Sequence, residues 1–159
     1  MSVSVTVYRL VKERFLSTPL SVEGARLHNG RWHPAGRGII YTSSSPELAL
    51  LEQLVHLPTL PFEDLPKLFL LTLSIPSNTR ILTPDELPSG WRYGVYFFDN
   101  QEFMTAWLLS PNVLSLGVPS AVVAESINYL LHPMHPLFAE VKVVKINPFP
   151  LDPHLVRTP

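Results

Sequence analysis

The pattern of hydrophobic and polar positions predicts short strands separated by few helices. Residues 3–11, VSVTVYRLV, alternate valine with more polar residues, which is typical of a half-buried strand. Residues 38–42 and 67–76 are apolar and bounded by turn residues, and we expect buried strands there. Residues 117–124 and 138–146 predict two more strands, the last with its lysines on an exposed face.

The clearest helix is predicted over residues 46–57. Ser44 or Ser45 can accept a backbone hydrogen bond as its N-cap, and Pro46 suits the first helical turn. Its apolar residues recur at helical spacing, so this helix is expected to pack one face on the sheet.

Residues 99–111, DNQEFMTAWLLSP, predict a second helix, with Asp99 and Glu102 as its capping pair. Residues 125–133 are expected to form a short helix or turn. Neither an internal repeat nor a linker interrupts the pattern. The chain is therefore predicted to be α+β, a single domain over residues 1–159 with short, mostly antiparallel strands and few helices.

The composition narrows the function classes. There is no cysteine, which excludes disulfides and thiolate metal sites. The formal net charge is −1, and no segment concentrates lysine and arginine as nucleic-acid binding requires. Charged residues make up 16% of the chain, against about 25% in an average domain. Together with a mean hydropathy of +0.18, this favours a surface that a protein partner covers.

The chain carries no sign of membrane targeting. The N-terminal segment lacks the basic start and long apolar stretch of a signal peptide. The longest apolar run, residues 68–73, is too short to span a bilayer. We therefore expect a soluble, cytoplasmic protein without membrane contact.

Glu52 is the first candidate for chemistry. On a helical wheel, Leu48, Leu51 and Val55 form an apolar arc, and Glu52 lies at its edge. A carboxylate there either reaches past the boundary to water or is held at the wall of a pocket, where it needs a donor or a cation. The pattern alone leaves both readings open.

Arg31 and Tyr41 each allow two interpretations, one structural and one functional. Arg31 follows a glycine turn at Gly30, and its stem either packs on Trp32 with a solvated head or presents a planar fork to a phosphate or carboxylate. Tyr41 ends the strand before the first helix, and is either a core aromatic or a wall of the same cleft. Because consecutive elements usually lie side by side, Arg31, Tyr41 and Glu52 are placed to converge.

The remaining polar candidates have weaker signals. Ser120 in an apolar strand is expected to bond to neighbouring backbone. His132 and His135 in HPMHP have a metal-like spacing, but the prolines forbid a regular helix and no third ligand is evident, so no metal site is expected. His33 and His56 each stand alone and are predicted to be structural.

Four segments of the chain together resemble the RES domain, the toxin half of RES–Xre toxin–antitoxin pairs. They are VYRL at 7–10, GARLHNGRWHPAGRGIIYTSSSPELALLEQLVHL at 24–57, VPSAVVAESINYLLHPMHPLFAEV at 118–141 and FPLDPHL at 149–155. The four segments occur in the same order and at similar spacing as in the family, and together they extend over nearly the whole chain. The chain departs from the usual family pattern at Asn29, His33 and His132, which leaves the proposed chemistry residues intact.

The resemblance implies a set of site residues. The arginine, glutamate and serine that name the family fall on Arg31, Glu52 and Ser120, and Tyr41 belongs to the same site. The catalytic set implied is therefore Arg31, Tyr41, Glu52 and Ser120. Binding of NAD would involve Tyr8, Arg9, Arg31, Trp32 and Tyr41.

The resemblance also implies a fold and an activity. Family members resemble ADP-ribosyltransferases, and consume NAD as substrate without a prosthetic group, as glycohydrolases or phosphorylases or by transfer to a protein. The implied partner is a cognate Xre-type helix-turn-helix antitoxin, with a homo-oligomer left open and no direct nucleic-acid contact. A non-catalytic nucleotide-binding module is the alternative from another class, disfavoured because all four catalytic residues are present. A nuclease toxin is disfavoured by the charge balance.

Overall fold

A mixed seven-stranded sheet organises the chain. The computed structural model describes residues 3–94 and 97–156. The described strands are β1 (Ser4–Lys12), β2 (Ile40–Ser43), β3 (Leu68–Pro76), β4 (Thr79–Ile81), β5 (Ser115–Pro119), β6 (Ile127–Leu131) and β7 (Lys142–Pro148). Their order is β4-β5-β6-β2-β1-β3-β7. Only the β4–β5 pair in this described sheet is parallel, so the predicted class of short, mostly antiparallel strands with few helices is confirmed.

The described helices are short and lie between the strands. They are α1 (Glu23–Leu27), α2 (Pro46–Leu54), α3 (Phe98–Phe103) and α4 (Thr105–Leu109). Single 3-10 turns occur at Glu13–Phe15, Phe62–Asp64, Pro84–Glu86, Pro136–Glu140 and Pro153–Leu155. Among the described helices, none is long and apolar enough to cross a bilayer.

The start of α2 follows its sequence signals. The hydroxyl of Ser45 accepts a hydrogen bond from the Leu48 amide at 3.1 Å, and Pro46 occupies the first turn. The helix ends at Leu54, three residues before the predicted end at residue 57. Ser45, rather than Ser44, is therefore the cap.

The buried face of α2 differs from the predicted one. Leu48 and Ala49 are buried, whereas Leu51 is 38% and Val55 60% exposed. Ala49 packs with Leu10 of β1, so the helix turns that side to the sheet. Glu52 follows Leu48 by four residues and Ala49 by three, which places it on the buried face rather than at its edge.

Two other predictions are corrected. The segment 125–133 contains strand β6, because its residues pair with β2 on one side and β5 on the other. The predicted helix over 99–111 is divided at Met104 into α3 and α4. Helix α3 has no side-chain cap, so the capping pair predicted at its start is wrong.

Other strands have shifted bounds. Strand β5 stops at Pro119, and the residues that follow form a turn, so Ser120 lies just past the strand and not within it. Strand β7 begins at Lys142, because Pro136–Glu140 forms a 3-10 turn. The short elements α1 and β4 lie in segments without sustained periodicity and were not predicted.

The two larger of three apolar clusters hold the sheet. One gathers residues from β1, β2, β3 and β6 around Val7, Ile40, Leu71 and Leu131. The other gathers Trp32, Ile39 and Leu130 with residues of α4. Each fully buried aliphatic side chain contributes about 1.5–3 kcal/mol through its removal from water. The strands β1, β2, β5 and β6 are thereby fixed side by side, and α2 lies over them with Glu52 facing inward.

Candidate active site

A cavity of about 430 Å³ brings most of the predicted site residues together. It lies beside α2, with the loop around Gly30 and the turn after β5 also in its wall. Six predicted residues line it, namely Tyr8, Arg9, Arg31, Trp32, Tyr41 and Glu52. The seventh, Ser120, is fully buried and contacts Glu52 from behind the wall.

The carboxylate of Glu52 is held through one oxygen. Its Oε1 accepts a hydrogen bond from the Ser120 hydroxyl at 2.6 Å and another from the Asn128 amide at 2.8 Å. Hydrogen bonds to an ionised carboxylate are short and strong. Within the described residues Oε2 has no hydrogen-bond donor, so it is the oxygen left for a ligand.

Ser120 bonds both to neighbouring backbone, as its position in the sequence predicts, and to the candidate catalytic carboxylate. Its hydroxyl donates to Glu52 and accepts hydrogen bonds from the amides of Val122 at 3.0 Å and Val123 at 3.1 Å. The backbone bonds lock the turn after β5. The serine therefore ties that turn to the carboxylate on α2.

Asn128 is a site residue that the sequence reasoning missed. It lies on β6 opposite Ser43 of β2, whose hydroxyl donates to the Asn128 side-chain oxygen at 2.8 Å. This contact orients the amide so that its NH₂ group reaches Glu52. The available signal was a polar residue at the second position of the apolar run INYLL, but the segment was predicted to be a helix or turn.

Tyr41 is bound to a histidine at the cavity wall. The Tyr41 hydroxyl lies 2.6 Å from His33 Nδ1. His33 Nε2 lies 2.8 Å from the Ala25 carbonyl and 3.0 Å from the His28 carbonyl, so Nε2 carries the ring proton. Nδ1 of the neutral ring then accepts a hydrogen bond from the Tyr41 hydroxyl. Burial lowers the pKa of His33 and raises the pKa of Tyr41, so both groups are neutral at pH 7. His33 is thus structural, as predicted, and also positions a site residue.

A glycine is required at position 30 because a larger side chain would have no room there, and not because of the turn geometry. Its φ is not positive, unlike that of Gly36 and Gly90. A Cβ at Gly30 would lie 2.7 Å from the Tyr41 hydroxyl and 2.5 Å from the His33 ring. The absent side chain lets the loop close over the tyrosine–histidine pair.

Arg31 holds the loop on the far side of the cavity. Its Nη1 donates to the carbonyls of Trp91 at 3.0 Å and Arg92 at 3.1 Å. Its guanidinium lies 4.5 Å from the centre of the Phe97 ring, a cation–π distance. Two carbonyls and an aromatic ring therefore contact the half-buried guanidinium, while Trp32 anchors the same loop by stacking on Trp91, with ring centres 6.0 Å apart.

The charge of Arg31 is coupled to the site. Partial burial lowers its pKa, and the charge of Glu52 acts in the opposite direction. The structure records no ion pair between the two among its described residues. The cation and the carboxylate thus share one cavity without neutralising each other by contact.

Arg9 is a half-buried cation of the cavity. Its Nη1 donates to the Tyr41 carbonyl at 3.0 Å, and its Nε has no partner in the described chain. Burial lowers the pKa of Arg9 to about 10, so the guanidinium is charged at pH 7. An anionic ligand would find this charge uncompensated.

The two histidines of HPMHP, His132 and His135, form hydrogen bonds that stabilise turns. His132 Nδ1 accepts from the Met134 amide and Nε2 reaches the Leu108 carbonyl. His135 caps the 3-10 turn that follows it by accepting from the Leu137 amide. No group of three or more His, Cys, Asp or Glu side chains in the described ranges is arranged to hold a metal ion.

A family model and several curated relatives match this chain over most of its length. The family model described as RES domain matches residues 6–152. The chain is 37% identical to Toxin Res of Photorhabdus laumondii, covering 95% of this chain and 97% of that protein. It is 34% identical to Toxin Res of Yersinia enterocolitica, with 94% and 98% covered. It is 33% identical to the Prs ADP-ribosylating toxin of a Sphingobium species, with 87% of each chain covered.

A solved structure shows the same fold. A chain of the crystal structure of the M. tuberculosis MbcT–MbcA toxin–antitoxin complex superposes with a TM-score of 0.70. The two chains are 21% identical, and the match covers 94% of this chain and 86% of that one. With the family match and relatives above 30% identity over nearly their whole length, the chain belongs to the RES domain family.

Proposed function

We propose that this chain is the toxin of a toxin–antitoxin pair and consumes NAD by cleaving the nicotinamide–ribose bond. The observation that carries the proposal is the Glu52 carboxylate in the cavity wall, which Ser120 and Asn128 fix at Oε1 and which has no donor at Oε2 among the described residues. The names of the relatives support the toxin role.

The chemistry of the bond suits a fixed carboxylate. As the C1′–N bond of the ribose breaks, its electron pair leaves with nicotinamide and positive charge builds on the ribose, as in glycoside cleavage. A carboxylate placed beforehand at that point stabilises the charge without reorganising. Nicotinamide departs as a neutral molecule, so no strong general acid is needed.

The acceptor completes the reaction. In glycohydrolysis the oxygen of water forms the new bond to C1′ and water loses a proton; in phosphorolysis a phosphate oxygen forms it. Arg31 is suited to hold the nicotinamide-ribose half, and Tyr41 to contact the ribose or stack on nicotinamide. The Tyr41 hydroxyl, whose proton is directed to His33, would accept a hydrogen bond from the substrate.

Transfer of ADP-ribose to a protein is the second candidate. It is favoured by the Sphingobium relative, which is named for ADP-ribosylation. With NAD labelled in the adenylate half, label on a protein would support transfer. Label in free ADP-ribose or its phosphate would support glycohydrolysis or phosphorolysis.

An Xre-type helix-turn-helix antitoxin is the proposed partner, in the cytoplasm where NAD is available. The low charge content of the chain and the similar fold in a toxin–antitoxin complex support a covering protein. Co-expression with the neighbouring reading frame should restore growth and yield a co-purifying complex. Growth arrest that persists with that frame would contradict this assignment.

The activity is tested by measuring NAD in cells after induction of the chain. We expect NAD to fall with the unaltered chain and to stay level with Glu52→Gln, which keeps the shape and removes the charge. Glu47→Gln is the matched control, because Glu47 lies on the same helix, is exposed and is outside the cavity wall. Unchanged NAD with the unaltered chain would overturn the proposal.

A further inference from the structure

A second cavity adjoins the one that contains Glu52. Its volume is about 330 Å³, and it lies beside the turn after β1 and the segment around α1. The two cavities share five wall residues, namely Arg9, Leu10, Asn29, Tyr41 and Gln53. The two cavities therefore lie side by side, with Arg9 and Tyr41 between them.

The two cavities differ in chemistry. Glu52 and Asn128 line only the first cavity, whereas Phe15, Thr18 and Lys12 line only the second. Phe15 is 43% exposed, and the Arg14 guanidinium lies 4.8 Å from the centre of its ring, so the ring offers an exposed aromatic surface beside a cation. Any nucleobase can stack favourably on such a surface, because every base has a π-face.

Arg9, between the two cavities, carries a charge without a counterion. No carboxylate in the described chain forms an ion pair with it, and its buried Nε lacks an acceptor. Removing a charged group partly from water without a counterion is costly, and an anion that enters either cavity beside Arg9 would relieve that cost. Arg31 is less available, because its Nη1 is held by two carbonyls.

NAD has the matching layout of two nucleotides joined by a diphosphate. We propose that NAD lies across both cavities, with the nicotinamide-ribose at Glu52, the diphosphate at Arg9 and the adenylate half in the second cavity against Phe15. The inference rests on the proposed function and adds to it the part of the site that recognises the adenylate. Each cavity falls near the lower end of the about 300–1,000 Å³ of ligand sites, which suits one nucleotide in each.

The first experiment fills the second cavity. Thr18 is exposed at its wall, and Thr18→Trp would occupy the space of the base. Purified chains are assayed with NAD and with nicotinamide mononucleotide, which lacks the adenylate. We expect the ratio of kcat/KM for NAD to kcat/KM for the mononucleotide to fall about tenfold in Thr18→Trp, as loss of a stacked base implies. Ser77→Trp, exposed and outside both cavity walls, should keep the ratio of the unaltered chain.

The second experiment removes the aromatic face. Phe15→Ala should raise the KM for NAD several-fold, whereas Phe15→Tyr should restore it because the stacking surface returns. Adenosine monophosphate should compete with NAD in the unaltered chain and lose that competition in Thr18→Trp. Calorimetric titration of adenosine monophosphate gives a binding readout that does not depend on turnover.

The outcomes separate the two proposals. If the unaltered chain cleaves neither NAD nor the mononucleotide, the proposed function fails and this inference with it. If the chain cleaves NAD with the same KM in Thr18→Trp and Ser77→Trp, and adenosine monophosphate does not compete, only the adenylate site is refuted. Equal rises in KM for both substrates would also refute it, because they would indicate a general distortion of both cavities.

Discussion

The buried hydroxyl of Ser120 lies 2.6 Å from Oε1 of Glu52, joining the turn after β5 to helix α2. The two residues are 68 positions apart in the chain. One hydroxyl thus fixes both the direction of the carboxylate and the shape of the turn, through its bonds to the Val122 and Val123 amides.

Ser120→Ala should lower both stability and activity. The change removes a donor to Glu52 and leaves two amides without their acceptor, which costs about 1–3 kcal/mol in the free energy of unfolding. Urea unfolding and NAD cleavage are the two measurements. Ser44→Ala, at an exposed serine of the same region, should alter neither, and equal behaviour of the two variants would contradict the role of Ser120.

Arg31→Lys should reduce NAD cleavage clearly while the fold is retained. Lysine keeps the charge but loses the planar group that lies over Phe97 and donates to two carbonyls. Circular dichroism would report the fold, and kcat/KM for NAD the activity. Full activity in Arg31→Lys would mean that only the charge matters at this position.

Gly30→Ala should destabilise the chain by about 1–3 kcal/mol, because the added methyl group overlaps the His33 ring and the Tyr41 hydroxyl. NAD cleavage should fall with it, since the pair must move. The matched control is Gly24→Ala in α1, where a Cβ meets no atom within 4 Å. That variant should be neutral or slightly stabilising, by up to about 1 kcal/mol. A neutral Gly30→Ala would refute the close packing described for the loop.

Asn128→Asp should abolish most of the activity. It replaces the amide that donates to Glu52 with a carboxyl group that has no N–H, so that Oε1 keeps only the Ser120 hydroxyl as donor. Measurement of kcat/KM for NAD would test this, and a value equal to that of the unaltered chain would show that Asn128 does not act on Glu52.

The stability of the chain should fall as pH drops below about 6.5. Burial lowers the pKa values of His33 and His132 beneath the ordinary value of 6.5. The unfolded chain then binds more protons than the folded chain, so the free energy of unfolding rises with pH through this window and is fully recovered above it. Thermal unfolding at pH 5.5 and 7.5 would measure the difference.

Substitution identifies the groups responsible. His33→Asn and His132→Asn should each reduce the pH dependence of the unfolding temperature between those two values. His56→Gln, at an exposed histidine, should leave it as it is. If His56→Gln reduced it as much as the buried substitutions, the two buried rings would not be the cause.

The sequence pattern predicted those elements whose own residues indicate their secondary structure. Strand β1 follows from alternating valines, and the start of α2 from Ser45 and Pro46. Strand β6 could not be found this way, because its assignment depends on partners β2 and β5 that lie far away in sequence. The same applies to the buried face of α2, where two apolar arcs overlap and packing on Leu10 selects one.

The site shows a similar division. The resemblance to a known family placed Arg31, Tyr41, Glu52 and Ser120, and the structure brings them to one cavity or its wall. Their roles in catalysis stay predictions. The spacing of residues could not predict that Asn128 and His33 position the site residues. Both act through side-chain contacts that exist only once the sheet is assembled.

The order of the strands has a consequence for how such a chain is made. Glu52 is synthesised early, but both of its donors come from residues after Pro119, on or beside strands that flank one another only in the finished sheet. A one-residue slip of β6 would turn Asn128 to the opposite face. The Glu52 carboxylate of a growing polypeptide therefore has neither of these two donors until β5 and β6 have been synthesised and have paired.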